Sequence, residues 1–119
     1  QRENDLQYMK KRGVQMEGWA PFAEGHNDIF NNEILKSIAN KYKKTVPQVI
    51  IRWQIQRGIV TIPKSTKKER IVENFNIFDF ELSNEDMELI STINTGKSTF
   101  FDLRTPEMVE AIANLKRNV

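Results

Sequence analysis

The chain reads as an α/β fold built on parallel strands, and three observations predict it. Ile59, Val60, Thr61 and Ile62 form an unbroken apolar or β-branched run ended by Pro63, the mark of a strand covered on both faces. Val14 to Trp19 alternates instead, with Val14, Met16 and Gly18 on one side and Gln15, Glu17 and Trp19 on the other, as a strand with a polar-lined face does. Two amphipathic helical stretches lie between these strands, so strand, helices and strand make one β-α-β crossover, which implies parallel pairing.

Each element has its own local signals. Asn4 is placed to cap a first helix carrying Leu6 and Met9, and Gly13 stands where helices end. After the first strand, Glu24 to Asp28 is a polar loop holding His26, the sole histidine. From Asn32 to Lys43, Ile34, Leu35, Ile38, Ala39 and Tyr42 share one helical stripe. Thr45 caps the next helix, Gln48 completes its capping box, and Pro47 sits in the first turn, where a missing amide costs little. Val46, Val49, Ile50 and Trp53 are its apolar face, and Gly58 follows its end. Beyond the second strand, Thr66 and Glu69 have capping-box spacing for a short helix. Ser83 caps a helix carrying Met87, Ile90 and Ile93, with Glu85 and Asp86 in its capping turn, and Thr105-Pro106 opens a last one carrying Met108, Val109 and Ile112. No linker, low-complexity segment or repeat interrupts the series, so the chain is one domain or part of one.

Composition excludes several function classes. The 18 Lys and Arg are interspersed with 16 Asp and Glu for a formal charge of +2, too balanced for a nucleic-acid or anionic-membrane partner. Cysteine is absent, which removes disulfides and thiolate metal sites, and one histidine builds neither a metal centre nor a triad. No apolar stretch approaches the roughly 18 residues of a membrane span, and no signal peptide is expected before Gln1. The cytoplasm is the expected compartment.

The most informative segment joins the second strand to the helix after it. Ile62-Pro63 runs into Lys64-Ser65-Thr66, with Arg70, Glu73 and Asn74 at fixed offsets. A strand end opening into a capped helix brings free amides beside an ammonium, a hydroxyl and a guanidinium, all of which favour an anion. The segment therefore reads as a phosphate-holding corner, with a solvated cationic helix face as the other reading.

From Thr45 to Asn74 the order Trp53, Arg57-Gly58, Ile62-Pro63-Lys64-Ser65, Arg70 and Glu73-Asn74 resembles the cofactor-binding end of an aldo-keto reductase. The likeness continues through Phe78-Asp79-Phe80-Glu81-Leu82-Ser83 and through Phe100 to Val109, so it covers almost the whole chain. It implies a parallel (β/α)8 TIM barrel, which takes about 250 residues; with 119 residues this chain is expected to be the C-terminal part, the last third or so, over residues 1–119. The barrel would be incomplete, the last two helices would pack outside it, and further sequence is expected upstream of Gln1. The implied cofactor is NADPH. Lys64 and Arg70 would hold its 2′-phosphate, with Ser65 and the Thr66 amide donating hydrogen bonds and Arg70 lying against the adenine. Glu73 and Asn74 would bind the adenine edge. Trp19 would stack on the nicotinamide, simple packing being its other reading, and Ala20, Pro21 and Phe22 would run beside the pyrophosphate. The sequence departs from the family pattern at Ala20, Lys67 and Leu103, and Leu103 puts in doubt the contact a histidine would make there.

The family's acid Tyr, supporting Lys and Asp, and substrate-side His come from earlier strands, and nothing here matches them. Tyr8 and Tyr42 read as packing residues. Phe100 and Phe101 belong either to a substrate-shaping loop or to the core. The resemblance thus implies a small carbonyl substrate, reduced to an alcohol, for the longer parent protein, and probes of catalysis on this chain alone are expected to find none. Two alternatives stay open: a non-catalytic NADP(H)-binding module, and a truncated inactive product. Self-association through open barrel edges is also expected.

Overall fold

The computed structural model describes residues 1–97, 99–100 and 105–115. In order these form helix α1 (Glu3–Lys11), strand β1 (Glu17–Gly18), a turn-rich segment over Ala23–Asn31, helices α2 (Glu33–Tyr42) and α3 (Val46–Gln56), strand β2 (Val60–Thr61), and helices α4 (Lys68–Phe75), α5 (Asn84–Ser91) and α6 (Pro106–Ala113). β1 and β2 pair in parallel, Glu17 opposite Val60 and Gly18 opposite Thr61, so the crossover expected from the sequence is present. No described helix is long and apolar enough to cross a membrane.

The core forms where the apolar stripes of α2 and α3 meet. Leu35, Ile38 and Ala39 pack with Val46, Val49 and Ile50, and Leu82 and Ile90 close the cluster. Both helices start as their sequences dictate. The Asn32 side-chain oxygen accepts the Ile34 and Leu35 amides at 3.1 Å, and Thr45 and Gln48 exchange capping-box bonds at 3.0 and 3.4 Å. Gln48, Ile51 and Gln54 are buried on α3 beyond the face read from the sequence, whereas Trp53 is only half-buried beneath the Arg57 guanidinium.

Helices α1, α2 and α3 end alike. After α3, Gly58 at φ 78° donates to Ile55 O at 2.9 Å while Ile59 donates to Gln54 O at 3.0 Å, the paired bonds of a Schellman closure. Gly13 does the same for α1 at φ 67°. After α2 the left-handed position is held by Lys43 at φ 54°, with Lys43 donating to Asn40 O at 3.2 Å and Lys44 to Ala39 O at 2.9 Å. A side chain there crowds its own carbonyl. Lys43→Gly is therefore expected to stabilise the chain by about 0.5–1 kcal/mol, the relief exceeding the added freedom of the unfolded state; urea unfolding would show a higher midpoint, and a lower one would refute the strain.

Helix α5 is anchored by a buried carboxylate. Asp86, 3% exposed, closes the Ser83 capping box and also accepts from Tyr42 Oη at 2.5 Å and Lys41 Nζ at 2.9 Å. Burial alone would raise this carboxyl, but the hydrogen bonds from Tyr42, Lys41 and Ser83 outweigh it and hold it at about 2. Tyr42 is thus more than a packing residue: its ring lies 5.4 Å from Phe80 and its hydroxyl ties α2 to α5.

Several local expectations are corrected. Asn4 lies inside α1, because Arg57 Nη2 holds Gln1 O at 3.1 Å and Glu3 Oε2 at 2.6 Å and tertiary contact sets where the helix begins. Thr66 does not cap α4; Ser65 Oγ accepts the Lys67 amide at 3.1 Å, which closes the turn and moves the helix start to Lys68. Tyr8 is exposed under the Arg12 guanidinium. Ile93 follows the end of α5, and α6 buries none of its residues. Both strands are shorter than their sequence runs, and β2 is covered on one face only: Ile59 is buried while Val60 and Ile62 are exposed. Among the described residues a helical layer lies against one side of the sheet, and the apolar residues of the other side have no facing layer.

Candidate functional site

The end of β2 and the start of α4 form one wall of a cleft of about 340 Å³. Lys64, Ser65, Arg70, Glu73 and Asn74 line it, joined by Phe22, Phe30 and Pro47 from across the chain. The arrangement follows from local structure. The strand delivers Lys64 and Ser65 to the rim, and α4 then repeats at three- and four-residue intervals, so Arg70, Glu73 and Asn74 share the face toward them. Phe22 and Phe30, 6.0 Å apart between ring centroids, form the opposite rim.

The cleft favours an anion. Neither Lys64 nor Arg70 is in an ion pair among the described residues. The first hydrogen bond bridging into α4 is Ile71 N–H to Lys67 O at 3.1 Å, so the amides of Lys68, Glu69 and Arg70 belong to the open first turn. Glu73 is the one acidic lining residue, and one of its oxygens accepts Thr45 Oγ1 at 2.6 Å. Ser65 contributes less freely than its position implies, because its hydroxyl is already engaged with Lys67 N and O at 3.1 and 3.4 Å.

The site residues expected from the sequence fall into two hollows. Lys64, Ser65, Arg70, Glu73, Asn74 and Phe22 come together, and Thr66 is exposed outside that lining. Trp19, Ala20 and Pro21 line a second, wider hollow of about 820 Å³. Trp19 is 62% exposed; its ring stacks on Phe100 at 5.0 Å and 30°, and His26 meets the same Phe100 edge-on at 5.8 Å. Phe101 and Leu103 lie outside the described residues.

Sequence reasoning missed what holds the corner in place. Gln48 Nε2 donates to Glu73 O at 3.0 Å and to Asn76 O at 2.9 Å, so the capping residue of α3 also grips the last turn of α4. A buried amide side chain must find partners beyond its own cap, but the burial of Gln48 shows only in the folded chain, and its sequence position announced nothing past the capping box. Phe30 and Pro47 reach the cleft only through tertiary folding and carried no signal either.

Comparison with known proteins accords with this architecture. The family model described as "Aldo/keto reductase family" matches residues 1–95. Aldose reductase B of Dictyostelium discoideum is 52% identical over 96 residues, covering 80% of this chain and 31% of that protein. Glyoxal reductase of Bacillus subtilis (strain 168) is 53% identical over 87 residues, covering 73% of this chain and 31% of that one. Among solved structures, an aldo-keto reductase from a Medee basin deep-sea metagenome library superposes with a TM-score of 0.83 at 46% identity, over 88% of this chain and 39% of its own. A silkworm (Bombyx mori) aldo-keto reductase complexed with NADPH superposes with a TM-score of 0.73 at 33% identity, over 81% of this chain and 32% of its own. These neighbours are TIM barrels, and this chain spans about a third of the length of the curated relatives it matches. With a family model matched over most of its residues, the chain belongs to the aldo/keto reductase family.

Proposed function

We propose that residues 1–119 are one partial domain, the C-terminal portion of an NADP(H)-dependent aldo-keto reductase barrel, and that this portion binds the nucleotide. The observation that carries the reading is the convergence of Lys64 and Arg70, both without ion pairs among the described residues, on one cleft with Ser65, Glu73 and Asn74. A cleft of about 340 Å³ lies within the size range of small-ligand sites, roughly 300–1,000 Å³. The 2′-phosphate would sit between Lys64 and Arg70, beside the Ser65 hydroxyl and the Thr66 amide. The free oxygen of Glu73 and the Asn74 amide would meet the adenine edge. Trp19 would stack on the nicotinamide, and the Ala20-Pro21-Phe22 backbone would border the pyrophosphate.

When bound, the nucleotide would supply a hydride for reduction of a carbonyl to an alcohol. The contribution of this chain is to bind and orient it. Tyr8 is exposed on α1 and Tyr42 is bonded to Asp86, so neither stands in the cleft as a proton donor; the Asp, Tyr, Lys and His of the reaction would belong to the rest of the parent protein. Relatives named aldose reductase and glyoxal reductase favour a small aldehyde or ketone as its substrate.

Titration of the chain with NADPH, with NADH as control, tests the reading through quenching of Trp19 and Trp53 fluorescence. Saturable binding that prefers NADPH is the expected result. Equal responses to the two nucleotides would remove the 2′-phosphate assignment, and no response to either would remove nucleotide binding by this chain.

A further inference from the structure

Trp19 stands at the end of β1 with little around it. It is 62% exposed, and the turn after it is tight, Ala20 and Ala23 both holding left-handed backbone at φ 46° and 50°. Among the described residues its ring partner is Phe100, which reaches it from beyond the end of α5 and stacks at 5.0 Å between centroids and 30° between planes. Those values suit a favourable offset pair. His26, on the segment that follows the same turn, meets Phe100 edge-on at 5.8 Å and 82°. The loop after β1 and the chain beyond α5 therefore meet at one ring.

We propose that Phe100 is a positioning residue for the nicotinamide: it backs one face of Trp19, is itself fixed by the edge of His26, and holds the indole with its other face turned to the wide hollow. The proposal rests on the assignment of Trp19 to the nicotinamide. An indole has two faces. Phe100 takes one, and the exposure of Trp19 shows that the pair does not seal the other. The hollow of about 820 Å³ that both residues line has room for a further ring. An indole free on both sides would lose its rotamer freedom only when the nucleotide arrives, at the expense of binding. With Phe100 against it, that ordering precedes the ligand. The effect belongs to the nicotinamide end alone, because the cleft of Lys64 and Arg70 shares no lining residue with this hollow.

The test is made on the 119-residue chain in a Trp53→Phe background, so that fluorescence reports Trp19 alone. Without nucleotide, Phe100→Ala is expected to lower the anisotropy of Trp19 emission; an unchanged value would show that the stack does not hold the indole, and would end the proposal. Calorimetric titrations then compare NADPH with 2′-phospho-AMP, which keeps the adenine and its phosphates and has no nicotinamide. Phe100→Ala is expected to weaken NADPH binding about two- to ten-fold, the cost of ordering one more side chain, and to leave 2′-phospho-AMP unchanged. Phe100→Tyr keeps the ring and is expected to bind NADPH as the parent does. His26→Ala should act in the same direction more weakly and add nothing in the Phe100→Ala background; an added loss there would overturn the role given to His26. Tighter NADPH binding by Phe100→Ala would mean that Phe100 occupies the place of the nicotinamide, an equal loss for both ligands that it only supports the fold, and no change that the stack does nothing; each overturns the proposal. A parent that binds neither ligand removes the nucleotide reading and the proposal with it, whereas a parent that binds both and is indifferent to Phe100→Ala removes the proposal alone.

Discussion

Lys64→Ala with Arg70→Ala is expected to weaken NADPH binding by roughly 100-fold while changing NADH binding by no more than a few-fold. The two head groups lie on one cleft, and a hydrogen bond to a charged group contributes about 1.5–3 kcal/mol. Both residues are exposed in the free chain, so screening by water and salt takes the joint effect toward the low end, near the 2.7 kcal/mol that a 100-fold change represents. The selectivity is the stronger criterion. NADH lacks the 2′-phosphate, so an equal loss for both nucleotides would mean that the substitutions disturb the cleft itself, and no loss for NADPH would place its phosphate elsewhere. Raising the salt concentration should narrow the difference between the nucleotides in the parent and leave the double variant nearly indifferent.

The largest stability effect is expected at Asp86. Asp86→Ala would strand the Tyr42 hydroxyl and the Ser83 amide, which now donate at 2.5 and 3.0 Å, and would cost about 3 kcal/mol, the range for breaking a buried charged hydrogen-bond hub. Lys41 is half exposed and returns to water, which keeps the cost from rising further. Acid should act through the same group. Its carboxyl is held at about 2 in the fold against an ordinary 3.8, so it binds its proton less tightly folded than unfolded. The resulting stabilisation, about 2 kcal/mol, is fully present above roughly pH 4 and lost as the pH falls through 2. Urea midpoints measured between pH 5 and pH 2 should therefore drop in the parent more steeply than in Asp86→Ala; parallel slopes would show that other carboxylates govern acid unfolding.

What was legible in the sequence was whatever lay within a few residues of itself. Lys64, Ser65, Arg70, Glu73 and Asn74 could be assigned to one corner because a strand end and two turns of helix fix their relative directions without help from the rest of the chain. The caps at Thr45 and Ser83 were legible for the same reason. Asp86 read only as part of a capping turn, because the partners that make it a hub, Lys41 and Tyr42, are 45 and 44 residues away. The start of α4 was misplaced by the competition between two neighbouring hydroxyls, which Ser65 wins over Thr66. The exposure of Val60 and Ile62 could not be read from an apolar run, since covering both faces of a strand depends on layers that the run itself does not specify. Trp19 was placed correctly at a strand end, yet its stacking on Phe100 joins segments whose contact no periodicity announces.

The grip of Gln48 on α4, together with the bond from Thr45 to Glu73, makes the beginning of one helix and the wall of the cleft a single mechanical unit. Thermal fraying at the first turn of α3, where Pro47 itself borders the cleft, would be felt on the α4 side of the cleft as well. In an inventory of contacts Thr45 and Gln48 would rank as ordinary folding residues, yet a library screened for nucleotide affinity would recover them alongside Lys64 and Arg70. The working boundary of the corner is wider than its surface.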